Sequence, residues 1–283
     1  MKKIALQLHP TRVTDELLAK SVLPVLQAHG FTAYTLPKRH DGEIRLERDT
    51  DLLITLGGDG TFLVGARLAY RCRVPVLGVM VGRLGFLCSL ALDELGDALE
   101  DFHRGKLAIE QRSILHGRIT AADGAVKYEG VAVNDIVLHR NINDNGRDFI
   151  ARHASEQIAQ YRADGIILAS ALGSTAYNMA AGGPLVYPEL NLLMLTPISA
   201  HSLFTKPLVL PPDEEVELTA VDPGGPLLAS FDGAERIEMQ RGDRLAVWSC
   251  ADGFKFCRPE SYDFFRILRD RFQHGYVYGA HDA

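Results

Sequence analysis

The sequence predicts an α/β N-terminal domain built on a parallel sheet, followed by a β-rich, sandwich-like C-terminal domain. Three observations carry that reading. Near-continuous apolar runs alternate with helix-length segments through the first third of the chain, the pattern of strands covered on both faces by crossover helices. One of those runs, 52–56, ends on Gly57-Gly58-Asp59-Gly60-Thr61, a glycine-rich junction ahead of a helical stretch. After about residue 112 the texture changes to short segments of alternating polar and apolar residues, as on half-buried strands.

The elements follow in order. Residues 4–8 read as a strand stopped by Pro10, and residues 15–29 as a helix closed by Gly30. Strands are expected at 31–36, 51–56 and 74–79, with a helix over 61–71 and a glycine turn at Gly82 and Gly85. A connecting helix over 93–103 leads to β-segments at 114–120, 126–133, 136–139, 216–221 and 245–248. Near the end, Phe264, Phe265, Ile267, Leu268 and Phe272 recur at helical spacing between arginines, an apolar stripe that packs as core. The expected division is 1–112 for the α/β domain and 113–260 for the β-rich domain, with 261–283 returning to the first. The polar loop 140–148 is a surface candidate.

Composition bounds the function. The 283 residues are 47% hydrophobic and 23% charged, and 30 Lys and Arg stand against 36 Asp and Glu for a net charge of −6. That balance opposes bulk binding to nucleic acid or an anionic membrane. Cys72, Cys88, Cys250 and Cys257 form no Cys-x-x-Cys pair, so neither a zinc ribbon nor a dithiol redox site is expected. The N-terminal apolar run is short for a signal peptide and no stretch reaches membrane-span length. A cytoplasmic protein is expected.

At the Gly57–Thr61 junction, glycine permits a sharp turn and close approach of a ligand, and the N–H groups of the following helix favour phosphate. An acid among anion-binding groups needs another task. Asp59 suits either holding Mg²⁺ or accepting a proton from a hydroxyl that attacks a phosphoryl group. The plain alternative is a tight turn whose Asp caps the helix. Further on, Asn134-Asp135 stands between apolar segments, a turn or a pair of ribose-binding groups. Asp164-Gly165 opens a short strand leading into Gly173-Ser174-Thr175-Ala176-Tyr177, a helix-compatible stretch over 176–181, and Gly182-Gly183-Pro184. Small residues there admit a planar base or sugar against the backbone, and an ordinary capped helix would use the same residues.

Taken together and in order, these pieces resemble the NAD kinases across nearly the whole chain. The matching set is Gly57–Thr61, Gly82 with Leu84-Gly85-Phe86-Leu87, Arg112, Asn134-Asp135, Asp164-Gly165, residues 173–177, residues 181–184, His201-Ser202-Leu203 and Asp232-Gly233. The Gly-Gly-Asp-Gly-Thr loop also occurs in diacylglycerol and sphingosine kinases, whereas the element 173–184 is far more specific. The resemblance implies transfer of phosphate from ATP, with Mg²⁺, to the 2′-hydroxyl of the adenosine ribose of NAD. It implies Asp59 as the base, with Gly57, Gly58, Gly60 and Thr61 at the phosphates. Gly60, Phe86, Asn134, Asp135, Arg162, Asp164, Thr175, Ala176, Tyr177 and Asn178 would form the NAD site, in part across a subunit interface. It also implies a homodimer or homotetramer, with Mg²⁺ carried by ATP rather than by a dedicated protein site.

Met80, Ala171, Leu172, Ala200, Lys206 and Ala234 depart from the family's usual residues, which bears on fine specificity and not on the base. Arg83 and Lys206 are candidate cations for the transferring phosphoryl group or plain surface charges. Two alternatives stand beside the NAD kinase reading: a lipid kinase sharing the glycine loop, and a dinucleotide-binding regulator without catalysis.

Overall fold

The computed structural model describes residues 2–37, 44–82, 85–88, 90–141, 146–154, 156–201, 206–221 and 225–273. Arg83, Leu84, Ser202, Leu203, residues 142–145 of the polar loop and residues 274–283 lie outside the described residues. The chain forms two compact units, Met1–Glu110 together with Phe254–Ala283, and Gln111–Gly253.

The first unit opens with β1 (Lys3–Leu8), α1 (Asp15–Leu17), a π turn (Leu18–Val22) and α2 (Leu23–Ala28). The single helix expected over 15–29 is therefore broken. Pro24 at the start of α2 supplies no N–H to the ladder and crowds the carbonyl four residues back, and the π turn absorbs the mismatch. Then come β2 (Thr32–Thr35), β3 (Thr50–Gly57), α3 (Asp59–Cys72), β4 (Pro75–Met80), a 3-10 turn (Leu92–Glu94) and α4 (Leu95–His103).

The strands run parallel in the order β2-β1-β3-β4. Leu52, Ile54 and Leu56 join Ile4, Leu6, Leu77 and Val79 in a core that includes Leu26 of α2 and Leu95 and Leu99 of α4. The opposite face is covered by α3. A Cβ on Gly65 of that helix would stand 2.3 Å from Cγ2 of Thr55 on β3, so only glycine allows the approach. Both faces are dry, which is why the strands read as unbroken apolar runs. β2 and β3 flank β1 on opposite sides, so a crevice opens beyond the carboxyl ends of β1 and β3.

The second unit contains most of β5 (Ala108–Thr120), then β6 (Val126–Ala132), β7 (Asp135–His139), β8 (Arg147–His153), β9 (Glu156–Ala163) and β10 (Gly165–Ala169). A 3-10 turn (Leu172–Thr175) and the short α5 (Tyr177–Ala180) follow. The helix expected over 176–181 shrinks because Gly182, at φ 84°, turns the chain in the left-handed region. The unit closes with β11 (Leu193–Ile198), β12 (Leu208–Leu210), β13 (Val216–Ala220), β14 (Leu227–Phe231), β15 (Glu235–Met239) and β16 (Arg244–Arg258).

One sheet of this unit joins β16, β13, β8 and β9, with β5 beside β16 and β6 beside β5. The other is antiparallel, in the order β12-β11-β10-β7-β14-β15. Leu115, Phe149 and Tyr161 of the first meet Leu138, Leu168, Leu195 and Phe231 of the second in one buried cluster, the core of a sandwich. The outer face of the second sheet, with Val137, Ile167, Ala169 and Met194, is covered by Ala181, Val186 and Leu192.

The end of β16 belongs to the first unit, so the return begins at Phe254 rather than at the expected 261. Lys255 and Phe256 pair in parallel with Pro75 and Val76 of β4. The rings of Phe254 and Phe256 lie edge-on to Phe62, with centroids 6.1 and 5.7 Å away. α6 (Phe264–Gln273) follows, with Phe264 and Ile267 buried.

Phe62 is wholly buried in this aromatic group. Truncation to Ala is expected to destabilise the protein by about 3–5 kcal/mol, the range for a large core side chain. Chemical denaturation of Phe62→Ala beside Phe62→Leu would measure it, and the Leu variant should lose clearly less.

Candidate active site

The crevice past β1 and β3 is a cavity of about 490 Å³, lined by Gln7, His9, Pro10 and Arg12 from one side and by Gly58, Asp59, Gly60, Thr61 and Val64 from the other. Its size suits a nucleotide's phosphates. His9 accepts the backbone N–H groups of Thr11 and Arg12 at its Nδ1, which fixes the turn after β1. Burial, then the charge of Arg12, push the His9 imidazole below its usual pKa. Thr61 spends its own N–H on the carbonyl of Gly58 at 2.9 Å, so it lines the cavity without offering that donor.

Asp59 is the first residue of α3, with Gly58 as the cap. The helix thus starts two positions before the expected 61, and Asp59 is held in its first turn. Phe86 N–H donates to Oδ2 at 2.9 Å, and the N–H groups of Leu87 and Cys88 donate to Oδ1 at 3.0 and 3.1 Å. A Cβ on Gly85 would lie 2.0 Å from Oδ1, so the turn can wrap the carboxylate only with glycine there. A carboxylate has about four lone-pair positions. The three bonds use two on Oδ1 and one on Oδ2, which leaves an acceptor position on Oδ2.

The second unit gathers its own polar group on the sheet carrying β10, β7 and β14. Asp232 and Gly233 follow β14 with φ of 48° and 68°, left-handed as a tight hairpin turn of this kind requires. The Asp232 carboxylate accepts the N–H groups of Val133, Asn134 and Asp135 at 2.9, 2.8 and 3.3 Å. Asn134 and Asp135 are thereby fixed at the head of β7. Asn134 keeps a buried Oδ1 with no hydrogen-bond donor among the described residues. The Asp135 carboxyl is buried, and burial followed by the Asp232 charge pushes its pKa up to about 7.

Ser170 ties this turn to the segment beyond β10. Its Oγ donates to Val133 O at 2.6 Å and accepts Gly173 N–H at 3.2 Å. A Cβ on Gly173 would stand 2.0 Å from Asn134 O, so glycine is needed where the two segments meet. Tyr177 is part-exposed and stacks on His139 of β7, centroids 6.1 Å apart. Burial, then Asp135 and Asp164, raise the pKa of its hydroxyl, while burial and then Arg236 lower that of His139.

The structure therefore brings together Asn134, Asp135, Asp164 and Tyr177 in the second unit, and in the first it seats Asp59 with Gly58, Gly60 and Thr61 at the cavity. Gly57 is the last residue of β3, where a Cβ would meet Thr61 Oγ1 at 2.4 Å. Phe86 is part-buried and gives Asp59 a donor. Asp164 is paired with Arg140 Nε at 2.6 Å, and Arg162 reaches Asp148 at 3.0 Å on the neighbouring strand β8. The Thr175 hydroxyl is spent locally on Leu172 O, and Ala176 caps α5.

Asn178, expected at the dinucleotide, is completely buried. Its amide donates to Pro184 O and accepts the Thr196 hydroxyl at 2.6 Å. It braces the Gly182-Gly183-Pro184 turn, because its amide faces are filled by the protein. Ala171 and Leu172 are buried core. Motif reading missed His9 and Arg12, whose signal was their place directly after the first strand. Asp232 was named with Gly233 as part of the resemblance, but its bracing of residues 133–135 was not foreseen.

A doubly covered parallel sheet with a glycine-framed acid at its switch point, beside a sandwich bearing a fixed Asn-Asp turn, defines a class of nucleotide-binding phosphotransferases. Residues 4–107 match the ATP-NAD kinase N-terminal domain and residues 133–259 the ATP-NAD kinase C-terminal domain. The NAD kinase of Heliobacterium modesticaldum is 40% identical over 228 residues, spanning 81% of this chain and 80% of that protein. That of Gemmatimonas aurantiaca is 39% identical over 241 residues, 84% of this chain and 83% of that protein. Among solved structures, yeast NADH kinase complexed with NADH superposes with a TM-score of 0.83 at 23% identity, covering 99% of this chain and 89% of the other. The Archaeoglobus fulgidus NAD kinase in complex with ATP gives 0.73 at 21%, covering 96% and 98%. The chain belongs to the ATP-NAD kinase family. None of these matches supports the lipid-kinase alternative.

The buried Asp135 makes a pH prediction. Its pKa stands near 7 in the fold against a usual 3.8. An acid raised on folding binds more protons folded than unfolded, so its contribution is complete below about pH 4 and is lost as pH rises through 7. Asp135→Asn should therefore gain stability relative to the parent between pH 4.5 and 8, by up to about 3 kcal/mol. Urea midpoints at both pH values check this, and an unchanging difference would refute it.

Proposed function

We propose that this chain phosphorylates the 2′-hydroxyl of the adenosine ribose of NAD, with MgATP as donor, to give NADP. The observation that carries the reading is the Asp59 carboxylate, fixed by three N–H donors with one acceptor position left, on the wall of a glycine-framed cavity. A base held in that way need only accept the hydroxyl proton as the oxygen attacks the γ-phosphate in line, and positioning supplies the rest. The first-turn N–H groups of α3 and the Arg12 guanidinium are the chain's contribution to charge on the phosphates.

In the second unit, the unfilled acceptor of Asn134 and the Asp135 carboxyl are the groups for the dinucleotide's donors. An acceptor buried without a donor costs about 1–3 kcal/mol, which a ligand would recover. Tyr177, stacked on His139, offers a flat face for a base. Among the described residues no group of three His, Cys, Asp or Glu is arranged to hold a metal. The family resemblance supports Mg²⁺ arriving with the ATP. The family resemblance supports self-association to a homodimer or homotetramer and a cytoplasmic location.

Incubation with MgATP and NAD should yield NADP, and diacylglycerol in place of NAD should yield no phospholipid. The reverse result would overturn the reading. Asp59→Asn should lower turnover by about two to four orders of magnitude, the usual contribution of a positioned base, with NAD binding retained in calorimetry. Gly85→Ala, which drives a methyl into Oδ1, should also fall well below the parent in turnover.

A further inference from the structure

Phe86, which donates to Oδ2 of Asp59, is itself held from outside its own loop. Phe264 of α6 lies against its ring, centroids 6.3 Å apart at 47°. The guanidinium carbon of Arg271, also on α6, sits 5.5 Å from the centre of the same ring. Phe264, Ile267 and Arg271 recur at i, i+3 and i+7, one face of the helix. Phe264 and Ile267 are buried, whereas Phe265 and Phe272 are exposed, so this face is the one that docks. Both ends of the docking stripe therefore converge on Phe86.

The consequence lies in the hydrogen bonds. The N–H groups of Phe86, Leu87 and Cys88 come from three successive residues and aim at one carboxylate. Their strength falls steeply with misalignment, so anything that lets the Phe86 ring shift loosens the set together. Displacements of about 1 Å at a reacting group already cost rate.

We infer that Arg271 is a positioning residue for Asp59, acting through the Phe86 ring, so that the last described helix sets the geometry of the base. This rests on the reading of Asp59 as the base. The charge over the ring does the holding, and Phe264 fixes where the ring stands.

The test uses the full chain with Arg271→Gln, Arg271→Lys and the exposed Arg269→Gln, each in the parent and in the Asp59→Asn background. The readouts are kcat, the KM values for NAD and MgATP, and the thermal midpoint. Arg271→Gln should lower kcat roughly three- to fivefold, the scale of one cation–π contact, with KM for MgATP unchanged. Arg271→Lys, which keeps the cation, should retain most of kcat, and Arg269→Gln should match the parent. In the Asp59→Asn background, Arg271→Gln should cause no further loss. The inference is overturned by an unchanged kcat in Arg271→Gln, by equal losses in the Lys and Gln variants, or by the same loss recurring without Asp59. Full turnover in Asp59→Asn alone would instead remove the base reading on which it stands.

Discussion

The structure of the first unit depends on one carboxylate being wrapped by one turn. Asp59 takes three N–H groups from residues 86–88, and the elements around it are arranged to make that possible. Val81 N–H bonds Gly57 O at 2.8 Å, which locks the exit of β4 to the exit of β3. Gly85 leaves the space that any side chain would fill. Hydrogen bonds to an ionised acceptor are stronger than neutral ones, so the junction is rigid although its sequence is rich in glycine. The Asp59 carboxylate is thus oriented by main-chain donors rather than by neighbouring side chains.

The second unit repeats the device with a different outcome. Asp232 also accepts three successive N–H groups, those of residues 133–135. There the braced turn carries the groups proposed to meet the dinucleotide, and the bracing acid stays behind them. In the first unit the acid held is itself the group proposed to react, and the turn supplies the support. Asp135 carries the burden of the second arrangement, since its buried carboxyl faces the charge that holds its own backbone in place. Strongly shifted acids of this kind cluster at functional sites, in keeping with the role proposed for Asp135.

Much of the fold was legible because two periodicities differ. Unbroken apolar runs marked strands buried on both faces in the first unit, and alternation marked the sandwich in the second. The break at Pro24 was legible in principle, yet the apolar period around it continues through the π turn and hides it. The start of α3 was read late because glycines argue for a turn, whereas the Asp59 carboxylate is held by a loop distant in sequence that pulls the helix start back. The early return at Phe254 was hidden for a similar reason: β16 is one continuous strand, and pattern alone does not say where its partners change. Asp59, Asn134, Asp135 and Tyr177 are proposed site residues by residue type and spacing. His9 and Arg12 reach the cavity through the fold and no short motif encodes that, while the motif Asp232-Gly233 did not reveal that its acid braces residues 133–135.

Two asparagines show where residue type stops being informative. Asn134 and Asn178 stand in equally suggestive surroundings, small residues and turns beside a strand. Asn178 has its amide nitrogen and oxygen filled by Pro184 and Thr196, so a ligand reaching it would have to break bonds inside the protein. Asn134 has its N–H taken by Asp232 and its side-chain oxygen buried with no donor among the described residues. A buried acceptor left open destabilises the protein that carries it, and the simplest reason to keep one is a donor that arrives with the ligand. Hydrogen-bond accounting therefore separates a filled amide from an open acceptor where sequence alone treats them alike, and the open one stands at the head of β7 rather than on α5.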